Sequence, residues 1–150
     1  MRWLLLFWCL TASAAELTPE QAFNAYAIAY GHAGFIPDKP PTIKVVDRPV
    51  LCRIAGLPDA CRARGLTNVD GVIYLDSALD FADPLDASVL IHELVHYVDW
   101  MRDGPAYNCE QWMRREYHAY TIQGQALEKI GVDPTSIYMA LRSMKCQDPK

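Results

Sequence analysis

Val89-Leu90-Ile91-His92-Glu93-Leu94-Val95-His96-Tyr97-Val98 decides how this chain is read. It is a His-Glu-x-x-His motif inside an apolar run. On an α-helix, residues four apart stand on one face, one turn above the other, so His92 and His96 offer two imidazoles to a single point. That is the spacing at which two histidines hold one zinc ion. Glu93 lies beside them, where it reaches a water at the metal without being a ligand.

The flanks of the motif give it a helix. Asp83-Pro84-Leu85-Asp86 reads as a helix start, with Asp83 as N-cap and proline at the first helical position. Leu85, Val89, Leu90, Ile91, Leu94, Val95, Val98 and Met101 cover most of the circumference, which predicts a buried helix. Asp103-Gly104-Pro105 stops it. Upstream, Gly71 to Asp76 is the clearest strand and Thr42 to Asp47 a second. Gly65 to Asp70 reads as a turn, and Cys52 to Cys61, with Gly56, Pro58 and Asp59, as a compact surface loop. Thr18-Pro19-Glu20-Gln21 is a capping box, opening a helix with Phe23, Tyr26, Ala27 and Tyr30 on its apolar stripe. Downstream, a long helix is expected from Cys109 to Ile130, ended by Gly131. Asp133-Pro134 starts a last one that runs to Met144, and Gln147 to Lys150 is expected to fray. The expected fold class is therefore α+β: a small β-sheet packed on a central helix with flanking helices.

The first fifteen residues read as a signal peptide to be removed, not as fold. Arg2 supplies the positive start, Trp3 to Leu10 the apolar segment, and Ala12-Ser13-Ala14-Ala15 the small residues of a cleavage site after Ala14 or Ala15. The apolar segment is far short of the ~20 residues that span a bilayer, so no membrane anchor is expected. Residues 16–150 then form a single domain that works in the periplasm or outside the cell. Removing Cys9 leaves Cys52, Cys61, Cys109 and Cys146, an even set in an oxidising compartment. Three pairings are open; Cys52–Cys61 as a local clip and Cys109–Cys146 as a staple between the last two helices are favoured. The formal net charge of −4 gives no basic footprint for nucleic acid. A monomer is expected.

Two histidines leave a zinc site incomplete, because catalytic zinc usually takes three protein ligands and keeps one position open. A metzincin would place glycine three residues after His96 and histidine six after; Asp99 and Arg102 stand there, which excludes that class. The following helix offers Glu110 and Glu116. Glu110 sits at the helix start, where a carboxylate complements the helix dipole. Glu116 has Ala119 three residues on, a small residue on the same face that lets two helices approach.

With these residues in place, the chain resembles the gluzincins, zincin-type metallopeptidases with a His-Glu-x-x-His helix and a glutamate ligand on a following helix. The resemblance runs from about Gly71 to Gln125 and rests on His92, Glu93, His96 and Glu116, with Ala119 in a Glu-x-x-Ala context. It suggests a small, exported bacterial member. It implies a zincin-like fold, zinc as cofactor, His92, His96 and Glu116 as ligands, and a peptide or protein as substrate. It also implies hydrolysis by zinc-activated water, with Glu93 as general base returning the proton to the leaving amine. Tyr120, one turn after Glu116, is the candidate oxyanion stabiliser, with Tyr74 and Tyr107 as further candidates; the plain alternative for each is core packing. Asp99, one turn past His96, is either an acceptor that orients a ligand imidazole or a solvated surface residue. Tyr97, Trp100 and Trp112 read as core. The strand around Val72 to Leu75 is expected to align an extended peptide by β-pairing. The alternative function is a zinc-binding but non-catalytic interaction module of the cell envelope.

Overall fold

In a computed structural model of the chain, residues 16–59 and 61–146 are described; the signal-peptide reading of residues 1–15 and the frayed tail at 147–150 lie outside them. The elements, in chain order, are α1 (Pro19–Ala33), β1 (Thr42–Val46), α2 (Arg48–Ile54), β2 (Gly65–Thr67), β3 (Val72–Asp76), α3 (Pro84–Asp103), α4 (Cys109–Lys129) and α5 (Thr135–Ser143). The class is α+β, with five helices and one small sheet among the described residues. Among the described residues no helix is long and apolar enough to cross a membrane.

Local chemistry sets the helix ends. Thr18 Oγ1 accepts from the Gln21 backbone N–H at 3.2 Å and Gln21 Oε1 accepts from that of Thr18 at 2.9 Å, so two free donors at the start of α1 are satisfied reciprocally. Asp83 Oδ1 caps α3 at the Leu85 N–H, 2.9 Å away. Gly104 ends α3 at φ +74°, in the left-handed region where a side chain is strained. α5 begins one residue later than its sequence suggests: Pro134 is the N-cap, and Asp133 instead accepts from the Thr135 N–H and hydroxyl.

The sheet has the order β1-β3-β2, with β1 parallel and β2 antiparallel to β3. Two expectations change here. Gly65 to Thr67 is a strand, not part of a turn; its apolar run is too short to show period-2 alternation, and pairing with β3 decides it. Cys52 to Cys61 is only partly a loop, because Cys52 sits fully buried on α2. The Asp76 carboxylate, at the buried end of β3, is held by Arg48 and by the Ala78 N–H, which ties the sheet to α2.

α3 packs against α1, α4, β2 and β3, with Leu90, Leu94, Val95, Tyr97 and Val98 nearly or fully buried. Met101, expected on the buried face, is 37% exposed at the helix end. Arg64, just before β2, pairs with Asp86 in the first turn of α3. α5 buries no residue completely. Its hold on α4 is Tyr138, whose ring lies over Gly124 so closely that a Cβ there would sit 2.6 Å from it, together with the Cys109–Cys146 disulfide. The second disulfide is Cys52–Cys61, so both favoured pairings are present.

The Cys109–Cys146 bridge closes 37 residues and Cys52–Cys61 closes 9. Loop-closure entropy then gives about 4 kcal/mol for the first and about 2.5 kcal/mol for the second. Replacing Cys109 and Cys146 together by serine should lower the urea-unfolding free energy more than replacing Cys52 and Cys61 by alanine. Equal losses would mean that native packing, not chain entropy, sets the contribution.

Candidate metal centre

α3 packs against α4, and Ala119, on α4 three residues after Glu116, is fully buried. His92 Nε2 and His96 Nε2 lie 3.0 Å apart. Glu116 Oε2 is 3.3 Å from His92 Nε2, and Glu116 Oε1 is 3.2 Å from His96 Nε2. The two imidazole nitrogens each face a different oxygen of the one carboxylate, and with one ligand atom taken from each residue the three lie within 4.8 Å of one another; two imidazoles with one carboxylate are a fitting donor set. Glu110, the rival third ligand, pairs with Arg114 on the exposed side of α4.

Burial opposes charge on Glu116, but hydrogen bonds from the His92 and His96 imidazoles, with the influence of their charge, outweigh it and hold the carboxyl down at about 2. Glu93 is treated oppositely. It is only 5% exposed, and burial pushes its carboxyl up to about 7; His92 and the Thr67 hydrogen bond pull it down, and the Glu116 charge adds to the rise. Two neighbouring carboxyls thus differ in role by environment: one stays ionised facing the imidazoles, the other exchanges a proton near neutrality.

β2 creates the Glu93 environment. Thr67 Oγ1 lies 2.9 Å from Glu93 Oε2 and 2.8 Å from the Glu93 carbonyl oxygen, and donates to them. Gly65 faces the same carboxylate so closely that a Cβ there would lie 2.5 Å from Oε1. The sequence reading missed both residues, because their segment read as a turn. The glycine next to a Leu-Thr pair was the available signal, since glycine in a strand often marks a close approach.

Tyr120 reaches the cluster: its ring centre is 4.3 Å from that of His92, edge to face. Burial, then the charges of Glu116 and Glu93, push its hydroxyl pKa up, so it remains a proton donor. Tyr74 and Tyr107 do not join it. Tyr74 lies under the Lys44 ammonium, 5.8 Å from its ring centre, and Tyr107 is 80% exposed. Asp99 is neither of the things expected of it. It is buried and pairs with His118 Nδ1 at 2.9 Å and Arg102 at 3.1 Å, pinning the end of α3 to α4 rather than orienting a ligand imidazole. Tyr97 is core, its hydroxyl donating to the Lys39 carbonyl. Trp112 is not; it is exposed beside Tyr107 and Lys145 on an open cavity of about 470 Å³. A second cavity, of about 340 Å³, is bounded by Arg102, Arg115 and His118. Neither cavity includes His92, His96 or Glu116.

A family model described as "Domain of unknown function (DUF6647)" matches residues 33–148. The chain belongs to that family. The matched segment of DUF6647 runs from β1 to α5, so it contains both disulfides and the whole His92–His96–Glu116 cluster. No curated protein and no solved structure matches the chain.

The contact between β2 and Glu93 has a direct test within this DUF6647 domain. Gly65→Ala forces a methyl against a buried carboxylate and should cost about 1–3 kcal/mol in denaturant unfolding. In a Glu93→Ala background the cost should fall by more than half, since the obstructing side chain is gone. An undiminished cost would place the strain in the backbone of β2 instead.

Proposed function

We propose that this chain is an exported zinc-dependent hydrolase, a metallopeptidase of zincin-like fold and gluzincin type. The observation that carries the reading is the convergence of His92, His96 and Glu116, whose candidate ligand atoms lie within 4.8 Å of one another, with the buried Glu93 carboxyl beside His92 on α3. His92, His96 and Glu116 would hold a zinc ion, which would supply the positive charge to acidify a water and polarise a carbonyl. The remaining work belongs to the protein. Glu93 accepts the proton of the attacking water on its carboxylate, and its raised pKa lets it hold that proton and return it to the departing amine. The Thr67 hydroxyl fixes the Glu93 rotamer during both transfers. Tyr120 donates a hydrogen bond to the oxygen on which negative charge develops.

The peptide-aligning strand differs from the one expected. Both edges of β3 are already paired, so Val72 to Leu75 has no free edge. β1 and β2 are the two edge strands, and of these β2 lies against Glu93. We assign to it the alignment of an extended peptide by main-chain pairing. Export to the periplasm or beyond is supported by the two disulfides, which persist in oxidising compartments. A second reading, a non-catalytic zinc-binding module of the cell envelope, is favoured by the position of the half-buried cluster outside the two cavities described above.

Purified protein should carry about one zinc per chain by elemental analysis, and Glu116→Ala should lose most of it; full retention would remove Glu116 from the ligand set. Glu93→Gln should keep the zinc and cut hydrolysis of a peptide library by about 10²–10⁴-fold. Wild type and Glu93→Gln equally inert, both zinc-loaded, would select the non-catalytic module. Tyr120→Phe should lower kcat by about 10²-fold at unchanged zinc content. An unchanged kcat would leave Tyr120 as packing for the His92 ring.

A further inference from the structure

Among the described residues, three buried side-chain polar atoms have no hydrogen-bond partner in the protein: His92 Nδ1, Gln123 Oε1 and Trp100 Nε1. Such atoms are costly, since each has given up water and gained nothing in return. Two of the three are complementary. A neutral imidazole carries its proton on one ring nitrogen and a lone pair on the other. His92 directs Nε2 at His96 and Glu116, so when Nε2 serves as a ligand the proton resides on Nδ1. His92 Nδ1 is then a buried donor, and Gln123 Oε1 is a buried acceptor.

They stand on two helices in contact, α3 and α4, and the contacts on either side of them bring Gln123 towards the turn of α3 that carries His92. Gln123 is 2% exposed, and its Nε2 donates to Ser88 Oγ at 2.8 Å. Ser88 stands one turn before His92 on α3, and its own hydroxyl donates to the Leu85 carbonyl. Ser88 thus anchors one end of the Gln123 amide and leaves Oε1 free. On α4, Tyr120 precedes Gln123 by one turn and packs its ring on that of His92. His92 is therefore bracketed between Tyr120 and the Ser88–Gln123 pair. Asp99, the acceptor that the sequence offers for a ligand imidazole, is committed to His118 and Arg102.

We propose that Gln123 is the positioning residue for His92: its Oε1 accepts the His92 Nδ1–H, either after a small rotation of the amide or through one buried water, and so fixes the tautomer that presents Nε2 to the metal. The hydrogen bond orients the ring and raises the basicity of Nε2, as an outer acceptor does for a metal-bound imidazole. The inference rests on the metal reading of the cluster.

The test is zinc affinity of the full mature chain, measured by competition with a chromophoric chelator, with unfolding of the metal-free protein as a parallel readout. Gln123→Leu keeps the volume and removes the acceptor, and should weaken zinc binding by about 10–100-fold. Gln123→Glu restores an acceptor at the same reach and should bind zinc at least as tightly as wild type. In long-range ¹H–¹⁵N spectra of zinc-loaded wild type, His92 should show a proton on Nδ1 protected from solvent exchange, a measurement that needs no variant. Wild-type affinity in Gln123→Leu, or an unprotected Nδ1 proton in wild type, overturns the proposal while leaving the metal centre standing. Absence of zinc binding by wild type overturns both. Equal weakening in Gln123→Leu and Gln123→Glu assigns Gln123 to holding Ser88 and refutes its role on His92.

Discussion

Two helices can share three ligating side chains only if they come close. In this protein α3 and α4 pack together, with the small residue Ala119 fully buried three positions after Glu116. His92 and His96 stand on one helix and Glu116 on the other, and their candidate ligand atoms fall within 4.8 Å of one another. Ionised carboxylate beside two imidazoles, mostly out of water, is expensive unless positive charge is present to meet it. The hydrogen bonds from the two imidazoles, which hold the Glu116 carboxyl ionised, are the protein's own share of that compensation.

The surroundings keep the two helices from sliding. Asp99 and His118 pin the far end of the contact, and Gln123 with Ser88 pins the near end. The Cys109–Cys146 disulfide ties the start of α4 to the tail beyond α5. β2, only three residues long, is fastened to α3 at both ends, by Arg64 to Asp86 and by Thr67 to Glu93. That short strand separates the roles of two neighbouring carboxyls. Glu116 faces imidazoles and stays charged; Glu93 faces a glycine, a threonine hydroxyl and apolar surroundings, and titrates near neutrality. The motif separates the two glutamates by position; which carboxyl stays ionised depends on what packs against each.

Local signals carried far in this chain. The Thr18–Gln21 box, the Asp83-Pro84 start and the glycine stop at 104 are interactions within a few residues, so they are legible from the order of side chains. The His-Glu-x-x-His pair is legible for the same reason: four residues on a helix always share a face. Short elements were less visible. β2 exists because β3 offers it hydrogen bonds, and α2 because Leu51 and Cys52 have a core to enter. Asp99 was misread because its burial is set by where His118 arrives from another helix.

By itself the sequence determined the α+β class, the central helix and the two histidines on one face of it, while Glu116 was preferred over Glu110 on the small residue that follows it and on the resemblance to the gluzincins. Helical periodicity and capping are properties of contiguous residues, and they need no tertiary information. Only the tertiary structure decided that β3 is the middle strand and β2 the edge beside Glu93, that Glu93 lies on Thr67 and Gly65, and that Gln123 is brought towards the turn of α3 that carries His92. These depend on how helices cross and which strand pairs with which. Such choices are fixed by packing between residues far apart in the chain, where no local pattern records them.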